Sequence, residues 1–196
     1  MAGLLNALTP IFAFILGVTF FSKKFRWSQL LGITLGFLGT LIIFFSRGTS
    51  NEQFPIFFGL LLVLATFCYG VSANTVSSKL KSLHPLVIST LSFSVIGPWA
   101  LIYILTTDFI SITASGDANY SLMALLTLSL VGTFGANILF FKLIQITDAV
   151  FSSSVSFITP VVALGWGFVD GEHISLNFIL ALVMILSGVF MVKFSK

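Results

Sequence analysis

Two stretches decide how this chain folds: "NALTPIFAFILG" at residues 6–17 and "SFITPVVALGWG" at residues 156–167. Each sets a Thr-Pro pair inside an apolar run, where proline removes a helical hydrogen bond. At a shift of 150, Asn6, Thr9, Pro10, Ala13 and Gly17 meet Ser156, Thr159, Pro160, Ala163 and Gly167, and Ala2 meets Ser152. Leaving the prolines aside, these small and polar positions step by three or four residues, so they share one helix face. Bulky Phe12, Phe14, Val162 and Leu164 fall elsewhere. The chain therefore reads as helical at both ends, with the same unusual helix twice.

The surroundings of both stretches identify the solvent. Of 196 residues, 57% are hydrophobic and 8% charged, where a soluble domain carries about 25% charged residues. Mean hydropathy is +1.12. Seven runs contain no Asp, Glu, Lys or Arg: 2–21, 27–46, 54–78, 85–107, 118–141, 149–169 and 174–192. Each is long enough for a helix to cross hydrocarbon at about 1.5 Å per residue. Barrel strands need only about 10 alternating residues. The expected fold is all-α integral membrane, with seven transmembrane helices.

Net charge is +3 and scattered, which argues against nucleic acid as a partner. Cys68 is the single cysteine, so no internal disulfide forms. Residues 1–21 do not read as a signal peptide, because no cation precedes the run and "FFSKK" offers no small-residue cleavage site.

Charge bias orients the spans, since cytoplasmic loops collect Lys and Arg. Numbering loops alternately puts Lys23, Lys24, Arg26, Lys79, Lys81, Lys142, Lys193 and Lys196 on one side and Arg47 alone on the other. The expected placement is multi-pass in the inner or plasma membrane, N-terminus outside and C-terminus cytoplasmic. Trp27, Tyr103, Tyr120 and Trp166 fall near the expected interfaces, and Tyr69 falls mid-span. Five spans separate the two Thr-Pro copies, and an odd number inverts the unit. That is the mark of an inverted repeat, frequent in secondary transporters. Beyond each copy a second apolar helix follows, and with one residue of gap Leu31, Gly39 and Phe45 meet Leu180, Gly188 and Phe194.

Pro10 has no N–H for the carbonyl of Asn6, and Pro160 frees that of Ser156. A bare carbonyl in lipid costs several kcal/mol. Two readings follow. The paired kinks face a wet central site, or the stripes are packing faces whose hydroxyls bond back to their own helix.

"GTFGANILFFKLIQITDAVFSSSVSFITPVVALGWGFVDGE" (132–172) resembles the second half of an EamA domain, in the drug/metabolite transporter superfamily. The carrying features are a Gly-rich helix ending in an aromatic pair, a short turn, a helix with a mid-span proline, and Gly171-Glu172 before a Gly-containing last helix. "FFGLLLVLATFCYGVSANTVSSKL" (57–80) resembles that domain's opening helix. The resemblance implies that 54–196 is a complete five-helix unit, that 1–46 is the last two helices of a preceding unit, and that 47–53 is a periplasmic linker. It further implies a 5+5 inverted-repeat bundle that moves small metabolites or drugs. The chain departs from that pattern by lacking the first three helices, and by Ser22 where the first unit often carries an acid.

The expected substrate-binding residues are Asn6, Thr9, Pro10, Tyr69, Asn137, Ser156, Thr159 and Pro160. Asn137 also reads as an amide bonding a neighbouring helix. Asn74 reads as a gate or a snorkelling amide, and Pro98, before Trp99, as a kink or break that frees Ser94. "GITLGFLG" (32–39) reads as a packing ridge. Ser152, Ser153 and Ser154 read as caps for helix N–H groups. Lys142 and Asp148 read as a structural ion pair. Trp166 reads as an interfacial anchor.

His84 and His173 have no ligand company at metal spacing, no nucleotide motif is present, and no carboxylate lies deep in a span. No cofactor or metal and no enzymatic activity are expected. The expected function is a secondary carrier or exporter working by alternating access, with a small molecule and membrane lipid as partners. The competing reading is a non-transporting truncated protein or partner subunit. In either case a second copy, or three further N-terminal helices, would complete the bundle.

Overall fold

The structure, a computed structural model, describes residues 5–46, 56–109, 113, 119–169 and 176–194, the side chains at 164 and 167–169 aside. Among them every regular element is helical. In chain order these are α1 (Thr9–Phe20), α2 (Trp27–Ser46), α3 (Ile56–Lys79), α4 (Pro85–Leu105) and α5 (Asn119–Thr127). A π-helical stretch (Leu128–Gly135) joins α5 to α6 (Ala136–Ile146). A 3-10 turn (Ser154–Phe157) joins α7 (Ala149–Ser153) to α8 (Ile158–Val169), and α9 (Leu176–Lys193) follows. Helix is the required answer for an apolar chain in lipid, because it satisfies every backbone group within one segment. The seven helical stretches fall on the seven expected runs. Five are long and apolar enough to cross a membrane: Trp27–Ser46, Ile56–Lys79, Pro85–Leu105, Asn119–Ile146 and Leu176–Lys193. Thr9–Phe20 and Ala149–Ala163 are shorter apolar helices.

Packing divides the chain into two compact units, Met1–Ser78 with Thr147–Lys196, and Lys79–Ile146. The first is built on a seam between α2 and α9, whose buried residues include Ile33, Ile43, Ala181, Ile185 and Val192. Glycine makes the seam possible. A Cβ added at Gly32 would lie 2.5 Å from the carbonyl oxygen of Gly188, and one at Gly188 would lie 2.5 Å from that of Gly32. Two backbones this close need small residues, the usual device of membrane helix pairs. The expected ridge at 32–39 is therefore a packing face, with Gly36 opening space for the ring of Phe157.

The seam also carries the repeat. A Cβ at Gly39 would lie 2.9 Å from the carbonyl oxygen of Ala181. Adding 149 to 32 gives 181, and subtracting it from 188 gives 39, so this contact is the Gly32–Gly188 contact with the two helices exchanged. The same operation turns Gly36–Gly188 into Ile185–Gly39, and both are close, at 2.8 Å from the added Cβ. Residue numbers rise along α2 as they fall along α9, so the helices run antiparallel. A self-complementary contact set of this kind belongs to a two-fold interface. Here the two-fold relates two parts of one chain, the inverted repeat read from the Thr-Pro stretches. Packing units and repeat units are different partitions, since each α2 contact reaches across to its own counterpart.

In the second unit α4 packs on α6, and Phe93 meets Phe134 at a ring separation of 5.7 Å. Gln145 donates from Nε2 to the carbonyls of Leu80 (2.9 Å) and Leu83 (2.8 Å), holding the turn before α4. His84 caps α4, its Nδ1 accepting from the Leu86 N–H at 3.3 Å. Pro98 was expected to kink or break this helix. It does not break it: α4 continues from Pro85 to Leu105, which a span can sustain where local adjustment re-satisfies the freed carbonyl.

Candidate functional site

The first Thr-Pro helix, α1, packs on α7 and on the 3-10 turn, the segment that leads into the second Thr-Pro helix. Both lose regular α geometry at the same point. The N–H of Leu8 donates to Leu5 O at 3.0 Å, three residues back, and the N–H of Ile158 donates to Val155 O, also three back. A shift of 150 exchanges the two bonds. Proline dictates this tightening: without an i to i−4 bond at the next turn, the chain before it closes in 3-10 fashion. The carbonyl of Asn6 freed by Pro10 is not left bare. Thr9 Oγ1 donates to it at 2.8 Å. In the second copy Ser156 Oγ donates to Ser153 O at 2.8 Å.

The two copies differ in cover. Thr9, Pro10, Ala13 and Gly17 are buried on α1. The cover is α3, whose Gly70 sits against the backbone of Phe12 and Ala13. Phe12 also meets Phe67 edge-on at 5.7 Å. On α8, Thr159 and Ala163 are exposed, while Ser156 and Pro160 are half-buried. Among the described residues of this unit, no helix covers that stripe as α3 covers its counterpart.

Two further expected site residues are Tyr69 and Asn137. Tyr69 is 60% exposed, while Thr66, Gly70, Ala73 and Asn74 of the same helix are buried. Asn137 was also read as bonding a neighbouring helix. Its Nδ2 donates instead to Thr133 O of its own helix at 3.0 Å, where the π-helical stretch leaves a carbonyl at its end. Trp166 is exposed, as an interfacial ring would be.

Asn74 was read as a gate or a snorkelling group, and it does not snorkel. It is 1% exposed and donates to Ala13 O (2.8 Å) and Gly70 O (2.9 Å), fastening α3 to α1. Its Oδ1 lies 3.0 Å from where a Gly17 Cβ would be, so the stripe's last small residue makes room for this amide. The sequence signal was available: an Asn four residues after a Gly in an apolar run, opposite a helix with its own Gly.

Below this clamp lies a cavity of about 440 Å³. Lys23, Lys24 and Arg26 line it together with Gln29, Asn74 and Asp148. The loop that supplies the cations turns sharply. Ser22 takes φ 52°, left-handed for a residue with a Cβ, and the N–H of Lys23 reaches back to Gly17 O at 2.9 Å. That turn sends Lys23 under the clamp, where Nζ donates to Ser77 Oγ at 3.0 Å.

Asp148 forms the opposite wall. Its Oδ1 accepts from the Phe151 N–H at 2.7 Å, capping α7. Its Oδ2 accepts from Gln29 Nε2 at 3.2 Å. Within its own unit Asp148 thus has Gln29 and the Phe151 N–H as partners. It also takes the capping role expected of the serines. Ser152 and Ser154 bond back to the carbonyls of Asp148 and Val150 at 2.8 Å each, and Ser153 to Val150 O at 2.9 Å. Gln29 was missed as a functional residue, though a nearly buried amide one turn into an apolar helix is a signal that it has a partner.

An antiparallel pair of Gly-lined helices is thus accompanied by two Thr-Pro segments that tighten at equivalent bonds. The EamA-like transporter family model matches residues 1–45 and 57–194. The chain belongs to that family. It is 24% identical over 187 residues to "Uncharacterized transporter YoaV" of Bacillus subtilis (strain 168), covering 95% of this chain and 63% of that protein. It is 24% identical over 193 residues to an "Uncharacterized transporter" of Archaeoglobus fulgidus, covering 98% of this chain and 67% of the relative. The chain thus spans about two thirds of the length of these relatives. No solved structure matches it. Family membership and the apolar helices make this EamA-like chain a multi-pass membrane protein.

Proposed function

We propose that this EamA-like chain forms the inverted-repeat core of a secondary carrier for small metabolites or drugs, without enzymatic activity. Alternating access would be a rocking of the two halves about the α2–α9 seam. The observation that supports it most is the pair of proline-broken helices. The first packs on the turn that leads into the second, and the two tighten at equivalent bonds. In an inverted-repeat carrier, helix breaks near the repeat interface are where polar groups meet cargo. Asn6, Thr9 and Pro10 with Ser156, Thr159 and Pro160 form this proposed contact region. Tyr69 and Asn137 are proposed as further substrate contacts. The basic end, with Lys23, Lys24 and Arg26, is placed in the cytoplasm by the positive-inside rule, which puts the N-terminus outside.

The open stripe on α8 bears on assembly. Its counterpart on α1 is sealed by an Asn-bearing helix, so a further helix or a second copy would occupy the equivalent place. The competing reading, a non-transporting partner subunit, shares that requirement and differs in flux. The test is single-cysteine labelling of Ser156→Cys, Thr159→Cys and Val162→Cys in a Cys68→Ser background, in sealed vesicles, joined to an uptake screen in proteoliposomes. The carrier reading expects membrane-impermeant reagent to reach 156 and 159 but not 162. It is abandoned if all three are equally silent and no solute moves above empty liposomes.

A further inference from the structure

The cavity under the Asn74 clamp has a chemistry that the carrier reading leaves unused. Loop charge bias explains why Lys and Arg lie at one end of a membrane protein. It does not explain why three of them, within one six-residue loop, surround a recess. That arrangement comes from backbone geometry: the left-handed Ser22 and the Lys23 N–H to Gly17 bond fold the loop back over the end of α1. Left-handed backbone at a residue with a Cβ is strained, and such strain gathers where a site is built.

The walls agree with the loop. Lys23, Lys24 and Arg26 face one carboxylate, that of Asp148. Both oxygens of that carboxylate already accept bonds, from Gln29 and from the Phe151 N–H. Three cations against one carboxylate give the lining residues a formal balance of +2. A cleft lined by one sign of charge concentrates ions of the other. Arg adds a planar fork suited to carboxylate or phosphate oxygens, and Lys a point charge. A volume of about 440 Å³ admits a small organic anion.

We propose that this cavity binds the phosphate or carboxylate group of a small organic anion, held by Lys23, Lys24 and Arg26. The same chemistry is offered by a free solute and by an anionic lipid headgroup. That the solute is cargo rests on the carrier reading above; the binding site does not.

Inorganic phosphate is the probe. The full chain is placed in nanodiscs of neutral phosphatidylcholine, and phosphate binding is measured by isothermal titration calorimetry. Lys24→Gln and Arg26→Gln are compared with Lys193→Gln, which removes a cation outside the cavity. Thermal melting of each variant confirms that it is folded. The expected result is saturable binding, weakened about tenfold by each cavity substitution and unchanged by Lys193→Gln. Raising salt should weaken it further. A second arm repeats the titration with phosphatidylglycerol in the disc. Binding that persists assigns the site to a soluble anion, and binding that vanishes assigns it to the headgroup. The proposal is overturned if folded protein shows no saturable binding up to about 10 mM in neutral discs, or if Lys193→Gln weakens it as much as the cavity variants. Tight phosphate binding by a chain that moves no solute would keep the site and remove the carrier.

Discussion

Gly32→Ala is the most direct test of the seam on which the repeat is built. The new methyl would lie 2.5 Å from the carbonyl oxygen of Gly188 and 2.8 Å from Cγ2 of Val192, where ordinary contact begins at 3.4 Å. The first neighbour is backbone in the middle of a helix, so no rotamer change relieves the overlap. The helices must part by roughly 0.9 Å at that point, the gap between 3.4 and 2.5 Å. A separation of this size forfeits about a quarter to a half of each dispersion contact across it. The contacts at risk are those of Ile33, Ala181, Ile185 and Val192, all buried. Overpacking of this kind destabilises by about 1–3 kcal/mol, and a gain of roughly 0.5–1 kcal/mol from replacing helical Gly with Ala offsets part of it.

The net expectation is a loss of about 1–2 kcal/mol, measured by reversible unfolding of the purified protein in mixed micelles of mild detergent and SDS. Gly165→Ala is the control, because an added Cβ there meets nothing within 4 Å. It should be neutral or slightly stabilising. The double variant Gly32→Ala with Gly188→Ala should cost less than the sum of the singles, because both methyls strain the same crossing. If Gly32→Ala and Gly165→Ala behave alike, the close crossing and the two-fold drawn through it are wrong.

Other variants probe the neighbouring joints. Asn74→Leu should destabilise by about 1–3 kcal/mol in the same unfolding assay, because the Ala13 carbonyl loses its cross-helix donor in a buried place. Asp148→Ala removes the cap of α7 and the partner of Gln29, and should cost about 1–2 kcal/mol; Asp148→Asn should recover part of it. Thr9→Val leaves the Asn6 carbonyl without its hydroxyl partner and should lower stability by about 1 kcal/mol, with Thr9→Ser close to wild type.

The element that the sequence showed best is the one whose physics is local. Charge-free runs long enough to cross hydrocarbon predict helices, and all seven runs hold them. The Thr-Pro copies were legible because proline acts within one turn. What the sequence could not show is which partner each polar group finds. Asn74, Asn137 and the three serines all needed acceptors, and several lay within reach of each. Asn74 crosses to another helix because Gly17 leaves space there. Asn137 stays on its own helix because the π-helical stretch presents a carbonyl nearby. Asp148 turns to Gln29, which lies 119 residues away in the chain, a choice made only after α2 and α7 have packed. Pro98 failed as a breaker for the converse reason: a residue-level rule was overridden by a lipid solvent that makes any interruption of a helix expensive.

On the carrier reading proposed above, the two-fold would explain why the chain carries a costly proline twice. A carrier must present similar surfaces to two sides of a membrane, and an inverted repeat supplies two related conformations from one set of contacts. Such a device needs an axis along which halves can pivot without unpacking. On the carrier reading the α2–α9 seam would be that axis, since glycines on both helices let the backbones approach closely there. It also needs elements that bend near the axis, and the 3-10 turns ahead of Pro10 and Pro160 fall at equivalent positions beside it. The difference between the halves then matters more than their likeness. One Thr-Pro stripe is closed by Asn74 and α3, and the other is open on α8. Sealing the open stripe with an added helix, fused or co-expressed, should protect Thr159→Cys from reagent in the state where Asn74 holds its grip. Protection independent of Asn74 would mean that the two stripes do not move as alternates.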